Sequence, residues 1–186
     1  MIDFGMGWRA VPGMFSPGDG DTVQIAVKRV PAGQAVVELG AWCGRSFAAL
    51  CEHLPAGAVA YSFDSYLEDS QANVEESPIT PTVAKKLRQL VEDHFRALGK
   101  DVHCVVRDSV TAGLEYDGPP VSVLFIDDHH SADQLEKDFN GSSKLYDLEG
   151  GQNQIHLPGA SGARGLVAVQ QIAEDLLETQ QLDAED

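Results

Sequence analysis

One acidic residue inside an apolar run is the first sign of chemistry in this chain. Glu38 lies in Ala35–Leu39, a short run whose pattern predicts a buried strand. An ionised carboxylate buried without a partner is costly, so we expect Glu38 to have one. Gly40 and Gly44 follow and predict a tight turn, and the alanine-rich segment after them predicts a helix. A strand, a glycine turn and a helix N-terminus predict a site where a ligand approaches bare backbone N–H groups.

The spacing of these residues favours one kind of ligand. It is E-x-G-x-x-x-G, and not the G-x-G-x-x-G whose middle glycine admits a pyrophosphate. The motif therefore favours a nucleoside-type ligand without phosphates. Asp64 ends the second predicted strand, Ala58–Phe63, about 20 residues after the turn, where nucleotide-type folds place an acid on the ribose hydroxyls. The alternatives are an ordinary strand-to-helix connection and a surface aspartate at a strand end.

A polar cluster directly after the most hydrophobic run of the chain is the second candidate site. The run is Val121–Ile126, which we predict to be the fourth strand. The cluster consists of Asp127, Asp128, His129 and His130. Because the carboxyl ends of parallel strands face the ligand crevice, these side chains could be metal ligands or a general base. The alternative is a polar loop in which Ser131 caps the next helix.

Strand and helix patterns alternate along the chain and predict an α/β fold, doubly wound around a mainly parallel sheet. The further predicted strands are Val102–Val106 and a weak fifth at Ile155–Leu157. The predicted helices are Thr22–Val30, one from the glycine turn to about His53, Thr80–Leu98 and Leu166–Leu177. Val83, Leu87, Leu90, Val91 and Leu98 are predicted to form the apolar face of the third helix. Residues 1–30 are expected to form an arm with a short helix, 31–178 a Rossmann-like domain, and 179–186 an acidic tail.

Composition excludes some classes of function. The formal net charge is −16, from 29 acidic and 13 basic residues, so the chain should not bind nucleic acid phosphates unaided. The acidity indicates a solvated surface or, alternatively, adaptation to high salt. Cys43, Cys51 and Cys104 form no C-x-x-C pair and are typical of reduced thiols in a cytoplasmic protein. No stretch has the length of a membrane span, and no signal-peptide pattern is present.

Two motifs carry a resemblance to a known family. Val37–Ser46, V-E-L-G-A-W-C-G-R-S, resembles the first motif of class I S-adenosylmethionine-dependent methyltransferases, in the subgroup with E-[IL]-G-x-x-x-G-R-S. Phe125–His130 is similar to that subgroup's F-I-D-G-x-H segment. Asp138 matches a later aspartate, and Gly150 and Gly151 resemble the pair before the fifth strand. The resemblance covers roughly residues 31–177 and implies a Rossmann-like fold.

The resemblance also implies where the cofactor lies. Glu38, Gly40 and Gly44 would hold the methionine part of S-adenosylmethionine. Ala41 and Ser46 would complete this part of the cofactor site.

The remaining site residues implied by the resemblance follow the other strands. Asp64 would bind the ribose, and Asp108 and Ser109 would lie beside the adenine. Asp127 would contact the cofactor, and both Asp127 and His130 would face the substrate as a metal ligand or base.

The sequence departs from the family pattern in three places. Asp128 replaces the usual glycine, Ala132 a common aromatic residue, and Leu157 an aspartate of the divalent-metal site. The family's last two strands have no counterpart, so we expect a sheet truncated after the fifth strand. An open edge at Val121–Ile126 would then favour a homodimer.

The predicted function is methyl transfer from S-adenosylmethionine to a small-molecule acceptor, by O-methylation. One alternative is a related domain that binds the cofactor or a partner without catalysis. The other is an NAD-dependent oxidoreductase, which the absence of G-x-G-x-x-G argues against.

Overall fold

Strands and helices alternate along the chain, as the sequence predicts. The computed structural model describes residues 2–13, 15–66, 79–127, 137 and 141, and the backbone of 165–168. The strands are β1 (Ala35–Leu39), β2 (Val59–Asp64), β3 (Asp101–Val106), β4 (Val121–Ile126) and β5 (Gly165–Ala168). The helices are α1 (Pro17–Val27), α2 (Arg45–Glu52), α3 (Pro81–Ala97) and α4 (Ser109–Glu115), preceded by a 3-10 segment, Phe4–Ala10.

The sheet has the strand order β3-β2-β1-β4-β5. β1 pairs in parallel with β2 on one side and with β4 on the other, and β3 is parallel to β2. The chain thus reverses its direction of travel across the sheet between β1 and β4. In open α/β sheets the ligand crevice lies at the carboxyl ends of the strands at such a switch point. The predicted Rossmann-like fold with a mainly parallel sheet is confirmed.

α1 begins earlier than the predicted Thr22–Val30, at Pro17. The hydroxyl of Ser16 accepts from the amide of Asp19, and the Asp19 carboxylate accepts from the amide of Ser16. This capping box, with proline at the first helical position, starts the helix five residues before its apolar face becomes recognisable.

The N-terminal arm packs against the sheet, as its aromatic residues predict. Trp8 is fully buried, and Phe15 lies edge-on to Phe125 of β4 with 5.8 Å between ring centroids. The arm, α1, α2 and α3 cover one face of the sheet. On the other face, the described cover includes α4, which the sequence did not predict.

The predicted apolar face of α3 is correct at Val91, which is buried, and wrong at three other positions. Val83, Leu90 and Leu98 are exposed. The buried residues of this helix are Ala84, Arg88, Val91, Glu92 and Phe95. Arg88 and Glu92 can be buried because Arg88 donates hydrogen bonds to backbone carbonyls and Glu92 forms an ion pair. A pattern of hydrophobic residues cannot identify a buried face that contains such charged side chains.

The predicted helix Leu166–Leu177 is also wrong in its first turn. Gly165–Ala168 is a strand, antiparallel to β4. A short apolar run suits either element, and here it gains backbone hydrogen bonds at the open side of β4. β4 is therefore not an edge strand, which removes the reason given above for a homodimer. The weak strand Ile155–Leu157 and the matched Asp138, Gly150 and Gly151 lie outside the described residues.

No helix within the described ranges is both long enough and apolar enough to cross a membrane.

Candidate functional site

Glu38 is fully buried at the centre of β1. The register of β1 against β2 places Ser62 opposite it, and the Ser62 hydroxyl donates to Glu38 Oε2 at 2.7 Å. Desolvation by burial, with a smaller effect of the nearby Asp127 charge, outweighs Ser46, Ser62 and Arg88 and raises the pKa of Glu38 to about 8. The hydrogen-bond partner expected for Glu38 is therefore present at Oε2 only.

The second carboxyl oxygen of Glu38, Oε1, is buried without a hydrogen-bond partner among the described residues. Ser46 lowers the pKa of this carboxyl, but its hydroxyl does not complete a hydrogen bond to Oε1. A buried polar atom without a partner is costly, and in a native protein it calls for an explanation. Oε1 can therefore accept a hydrogen bond from a ligand.

The glycine turn places α2 against α3. Gly40 and Gly44 both have φ 83°, in the left-handed region that favours glycine. Gly44 is the residue that caps α2, and a Cβ there would lie 3.1 Å from Arg88 Cγ and 3.3 Å from Arg88 Cα. Any larger residue would be strained and would also press on α3.

Four backbone N–H groups of this turn are not bare, so the prediction is wrong for them, whereas it is consistent with the N-terminus of α2, which no side chain of the described residues caps. The amides of Ala41 and Trp42 both donate to Asp64 Oδ2, at 3.0 and 2.7 Å. Those of Gly40 and Gly44 donate to backbone carbonyls. An anionic phosphate would have to displace these bonds, so the turn agrees better with the predicted nucleoside-type ligand.

Asp64 connects the turn after β1 to the loop after β2. Its second oxygen, Oδ1, accepts from the amide of Tyr66 at 2.8 Å, and the Tyr66 hydroxyl donates to the carbonyl of Trp42 at 2.9 Å. Trp42 and Tyr66 have φ values of 43° and 52°, which are strained for such residues and are held by these bonds. A carboxylate oxygen has more than one lone pair, so Asp64 can still accept from a ribose hydroxyl.

Asp108 and Ser109 lie where α4 begins. The Asp108 side chain caps the helix by accepting from the amide of Thr111 at 2.8 Å. Partial burial opposes its ionisation, but the Thr111 hydrogen bonds and the Arg107 charge keep the pKa of Asp108 below its ordinary value. Ser109 is buried. Both residues thus have structural roles here, and their contact with an adenine stays a prediction.

Asp127 lies at the carboxyl end of β4, and its amide donates to the carbonyl of Leu39 at 2.8 Å. This bond brings the end of β4 beside the end of β1, and the Asp127 carboxylate acts electrostatically on Glu38. Asp128, His129 and His130 lie outside the described residues. Within the part that the structure describes, no group of three or more His, Cys, Asp or Glu side chains could hold a metal ion.

Two residues of this site were not predicted. Ser62 lies in a strand that reads as apolar, and only the strand register shows that it faces Glu38. Arg88 is 2% exposed, and its guanidinium donates to the carbonyls of Ser62 and Val105. One arginine among several basic residues of a helix gives no sequence signal for burial, so only the tertiary structure identifies it.

Comparisons with known proteins agree with this architecture. Residues 37–151 match the family described as a methyltransferase domain. A search of curated proteins gives no match to this chain.

Several solved structures share the fold. Cofactor-bound Rv0187 from MTB has a TM-score of 0.52 at 15% identity, over 73% of this chain and 54% of that one. The O-methyltransferase TomG from Streptomyces achromogenes, involved in tomaymycin synthesis and solved with SAM, has a TM-score of 0.50 at 16% identity, over 71% and 52%. An O-methyltransferase from Bacillus cereus in complex with SAH has a TM-score of 0.50 at 18% identity, over 74% and 56%.

The present chain spans about half the length of these three proteins. At such identities the likeness shows the fold, whereas the family match covers more than half of the chain. The switch point between β1 and β4 and the acidic residue in β1 lie where the first motif predicts them. The chain therefore belongs to the methyltransferase-domain family and has the Rossmann-like fold of class I S-adenosylmethionine-dependent methyltransferases.

Proposed function

We propose that this protein transfers the methyl group of S-adenosylmethionine to an oxygen atom of a small molecule. The observation that carries the proposal is Glu38, a fully buried carboxyl at the switch point with one oxygen that has no hydrogen-bond partner among the described residues. The α-ammonium group of the cofactor's methionine part would donate to this oxygen. Its bond to Oε1 would satisfy the atom that the protein leaves unpaired.

The charge of the site also suits this cofactor. S-adenosylmethionine carries a sulfonium and an ammonium group, and Asp64 and Asp127 lie at the same ends of the strands as the turn after Glu38. Asp64 would accept from the ribose hydroxyls through its free lone pairs. Two structurally similar O-methyltransferases, TomG and the Bacillus cereus protein, were solved with SAM and SAH respectively, which supports both the cofactor and an oxygen acceptor.

The reaction needs little chemistry from the protein. When bound, the cofactor supplies an electrophilic methyl group whose bond to sulfur breaks as the acceptor oxygen forms its bond to the carbon. The protein's task is to align these atoms and to exclude water. Asp127 would orient the acceptor, and His130 would take its proton. Asp127→Asn and His130→Ala should then lower turnover, while His130→Ala keeps the affinity for S-adenosylhomocysteine, and full activity of both variants would remove these roles.

A divalent metal is not needed in this proposal. Of the residues proposed as metal ligands, the described ranges contain Asp127 alone. We therefore derive no step through a metal.

A second candidate is a domain that binds the cofactor without catalysis. Leu157 in place of the family's aspartate favours it, as does the short antiparallel β5 in place of a parallel fifth strand. The two candidates differ in turnover and not in cofactor binding. Transfer of a labelled methyl group to a panel of hydroxylated small molecules would distinguish them.

Calorimetry tests the cofactor. S-adenosylhomocysteine should bind at micromolar concentration and NAD not measurably, because the turn lacks the dinucleotide motif. Glu38→Gln should weaken binding by about tenfold or more, since a charge-assisted hydrogen bond contributes roughly 1.5–3 kcal/mol. Glu115→Gln, an exposed carboxylate of α4, is the matched control and should bind like the wild type. Absence of S-adenosylhomocysteine binding to the wild type overturns the proposal.

We propose that the partner of the protein is a small molecule and neither a nucleic acid nor a membrane. The net charge of −16 opposes binding to phosphate-rich surfaces, and fluorescence anisotropy with a labelled duplex tests this at low salt. We also propose a cytoplasmic location, because Cys43, Cys51 and Cys104 are all unpaired. Their quantitative labelling by a thiol reagent in denatured cell extract is the check.

A homodimer stays a proposal, and β3 is the edge that could mediate it. β3 is the outer strand next to β2, and Val106 at its end is 49% exposed. A two-fold axis along this edge would bring Asp101 of one copy near Arg107 of the other. Light scattering at micromolar concentration should then give twice the chain mass, and a mass of 20.0 kDa contradicts the dimer.

A further inference from the structure

Arg88 is a buried cation that the proposed function leaves without a role. It lies in the middle of α3 at 2% exposure. One guanidinium nitrogen donates to the Ser62 carbonyl at 3.1 Å, and the other donates to the Val105 carbonyl at 3.2 Å. The guanidinium carbon lies 4.9 Å from the centroid of the Tyr66 ring. None of the described carboxylates forms an ion pair with it. Burial of a charge that forms no direct ion pair is costly and indicates a purpose.

Ser62 connects this cation to Glu38. Its hydroxyl has one hydrogen, which it donates to Glu38 Oε2 at 2.7 Å. The same hydroxyl oxygen therefore acts as an acceptor toward Arg88, whose Nη1 lies 3.5 Å away. The hydrogen bonds run in one direction, from Arg88 to Ser62 and from Ser62 to Glu38. This direction favours negative charge on the carboxyl and fixes which of its oxygens remains open.

The other groups that act on Glu38 come from every neighbouring element. They are Ser46 and Cys51 of α2, Ser62 of β2, Tyr66 after β2, Arg88 of α3, Cys104 of β3 and Asp127 after β4. Burial raises the pKa of Tyr66, Cys51 and Cys104, so these three stay neutral. Asp127 adds a negative charge, which leaves Arg88 as the one cation that acts on Glu38 among the described residues.

We propose that Arg88 is a positioning residue that acts through Ser62 to favour the carboxylate form of Glu38 when the ligand binds, with Oε1 directed to an ammonium donor of the ligand. This inference rests on the proposed function, since the donor is the ammonium group of the cofactor's methionine part. Arg88 also lies against Gly44, so the same side chain sets the glycine turn and the charge of the carboxyl.

Carboxyl NMR of the ligand-free protein tests the connection directly. Arg88→Met removes the charge and keeps a long apolar side chain, and Ser62→Ala removes the link while leaving Arg88 in place. Each should raise the titration midpoint of Glu38 by about one pH unit, because each removes a group that favours the ionised form. Lys86→Met removes an exposed charge from the same helix and should leave the midpoint unchanged. Midpoints that stay at the wild-type value in both variants overturn the proposal.

Binding of S-adenosylhomocysteine gives the second readout. Arg88→Met should weaken binding of S-adenosylhomocysteine about tenfold near pH 7, and should weaken binding of 5′-methylthioadenosine, which lacks the ammonium group, much less. Arg88→Lys keeps the charge and should recover most of the affinity for S-adenosylhomocysteine. Equal loss for the two ligands would mean that Arg88 merely supports the fold, and would overturn the proposal. Should Arg88→Met fail to fold, Ser62→Ala and Arg88→Lys decide the question by the same measurements.

The two proposals can fail separately. A wild-type protein that binds no S-adenosylhomocysteine at any pH refutes the proposed function. The NMR midpoints of Arg88→Met and Ser62→Ala still decide, in that case, whether Arg88 acts on Glu38.

Discussion

At the scale of single residues, the site places three carboxyl groups in different environments. Glu38 is surrounded by protein, and burial outweighs its hydrogen bond and raises its pKa to about 8. Asp64 accepts hydrogen bonds from three backbone amides. Asp127 lies at the carboxyl end of β4 and repels a charge on Glu38. A cationic ligand would reverse this balance by giving Glu38 a partner.

The raised pKa of Glu38 predicts how stability depends on pH. An unfolded glutamic acid loses its proton near its ordinary value of 4.5, whereas the folded one keeps it up to about 8. Between these values the folded state binds the extra proton, so the contribution of Glu38 is present at low pH and is lost as pH rises through about 8. Glu38→Gln cannot titrate. The variant should therefore gain stability over the wild type between these values, by at most about 1.4 kcal/mol per pH unit.

Urea unfolding of the ligand-free proteins at several pH values measures this difference. Comparison with the variant cancels the effect of all other titrating groups. Parallel stability curves for Glu38→Gln and the wild type would show that Glu38 ionises normally in the folded protein.

The residues found from the sequence are those that interrupt a local pattern. Glu38 interrupts an apolar strand, and Gly40 and Gly44 interrupt the passage from strand to helix. Ser62 and Arg88 do not stand out in the sequence. The pairing of β1 with β2 places Ser62 at the site, and the packing of α3 places Arg88 there. The sequence identifies Asp64 as a site residue. Its hydrogen bonds to the glycine turn depend on the pairing of β2 beside β1, which no local sequence pattern shows.

At the scale of elements, the described strands β1 to β4 lie within a residue or two of their predicted positions. Their apolar runs are short and are bounded by Pro, Gly and charged residues, which makes them recognisable. The errors occur where apolar residues do not indicate the buried face, as in α3, or where a run fits two elements, as at Gly165–Ala168. Tertiary contacts decide both cases, and single-sequence patterns do not contain them.

The pairing of β5 with β4 predicts a pattern of hydrogen exchange. β4 is paired on both sides, so its amides should exchange slowly, whereas β3 is an edge strand and should show slow and fast amides in alternation. Val167 pairs with Leu124. Val167→Pro removes a backbone donor from the ladder and should speed exchange at the β4 amides that face β5 by about tenfold, or roughly 1.4 kcal/mol.

Val167→Thr is the matched control, because it is also β-branched and keeps the backbone N–H. Its exchange pattern should equal that of the wild type. Alternating fast and slow amides in β4 of the wild type would contradict the pairing and would restore β4 as an open edge.

At the scale of the whole molecule, acidic charge dominates. The chain has 29 acidic and 13 basic residues, so most carboxylates have no cation with which they could pair. The described ion pairs of arginine, Arg96–Glu92 and Arg107–Glu115, both involve at least one partly exposed side chain. Such pairs contribute roughly 0–1 kcal/mol each. Repulsion among the unpaired carboxylates is the larger electrostatic effect.

Stability should therefore rise with salt. Added salt shortens the screening length from about 10 Å at 0.1 M to about 3 Å at 1 M, which weakens repulsion across the whole surface. The same salt weakens the exposed ion pairs, but these are few beside the excess of 16 negative charges. Sodium chloride should raise the Tm by about 2–4 °C for each 1 kcal/mol of repulsion removed. Lys86→Met removes one positive charge and so increases the net repulsion among the acidic residues. Because salt screens this repulsion, the variant should lower the Tm more at 0.1 M than at 1 M. A Tm that stays level or falls as sodium chloride is added would show that the acidic residues are too far apart to repel one another.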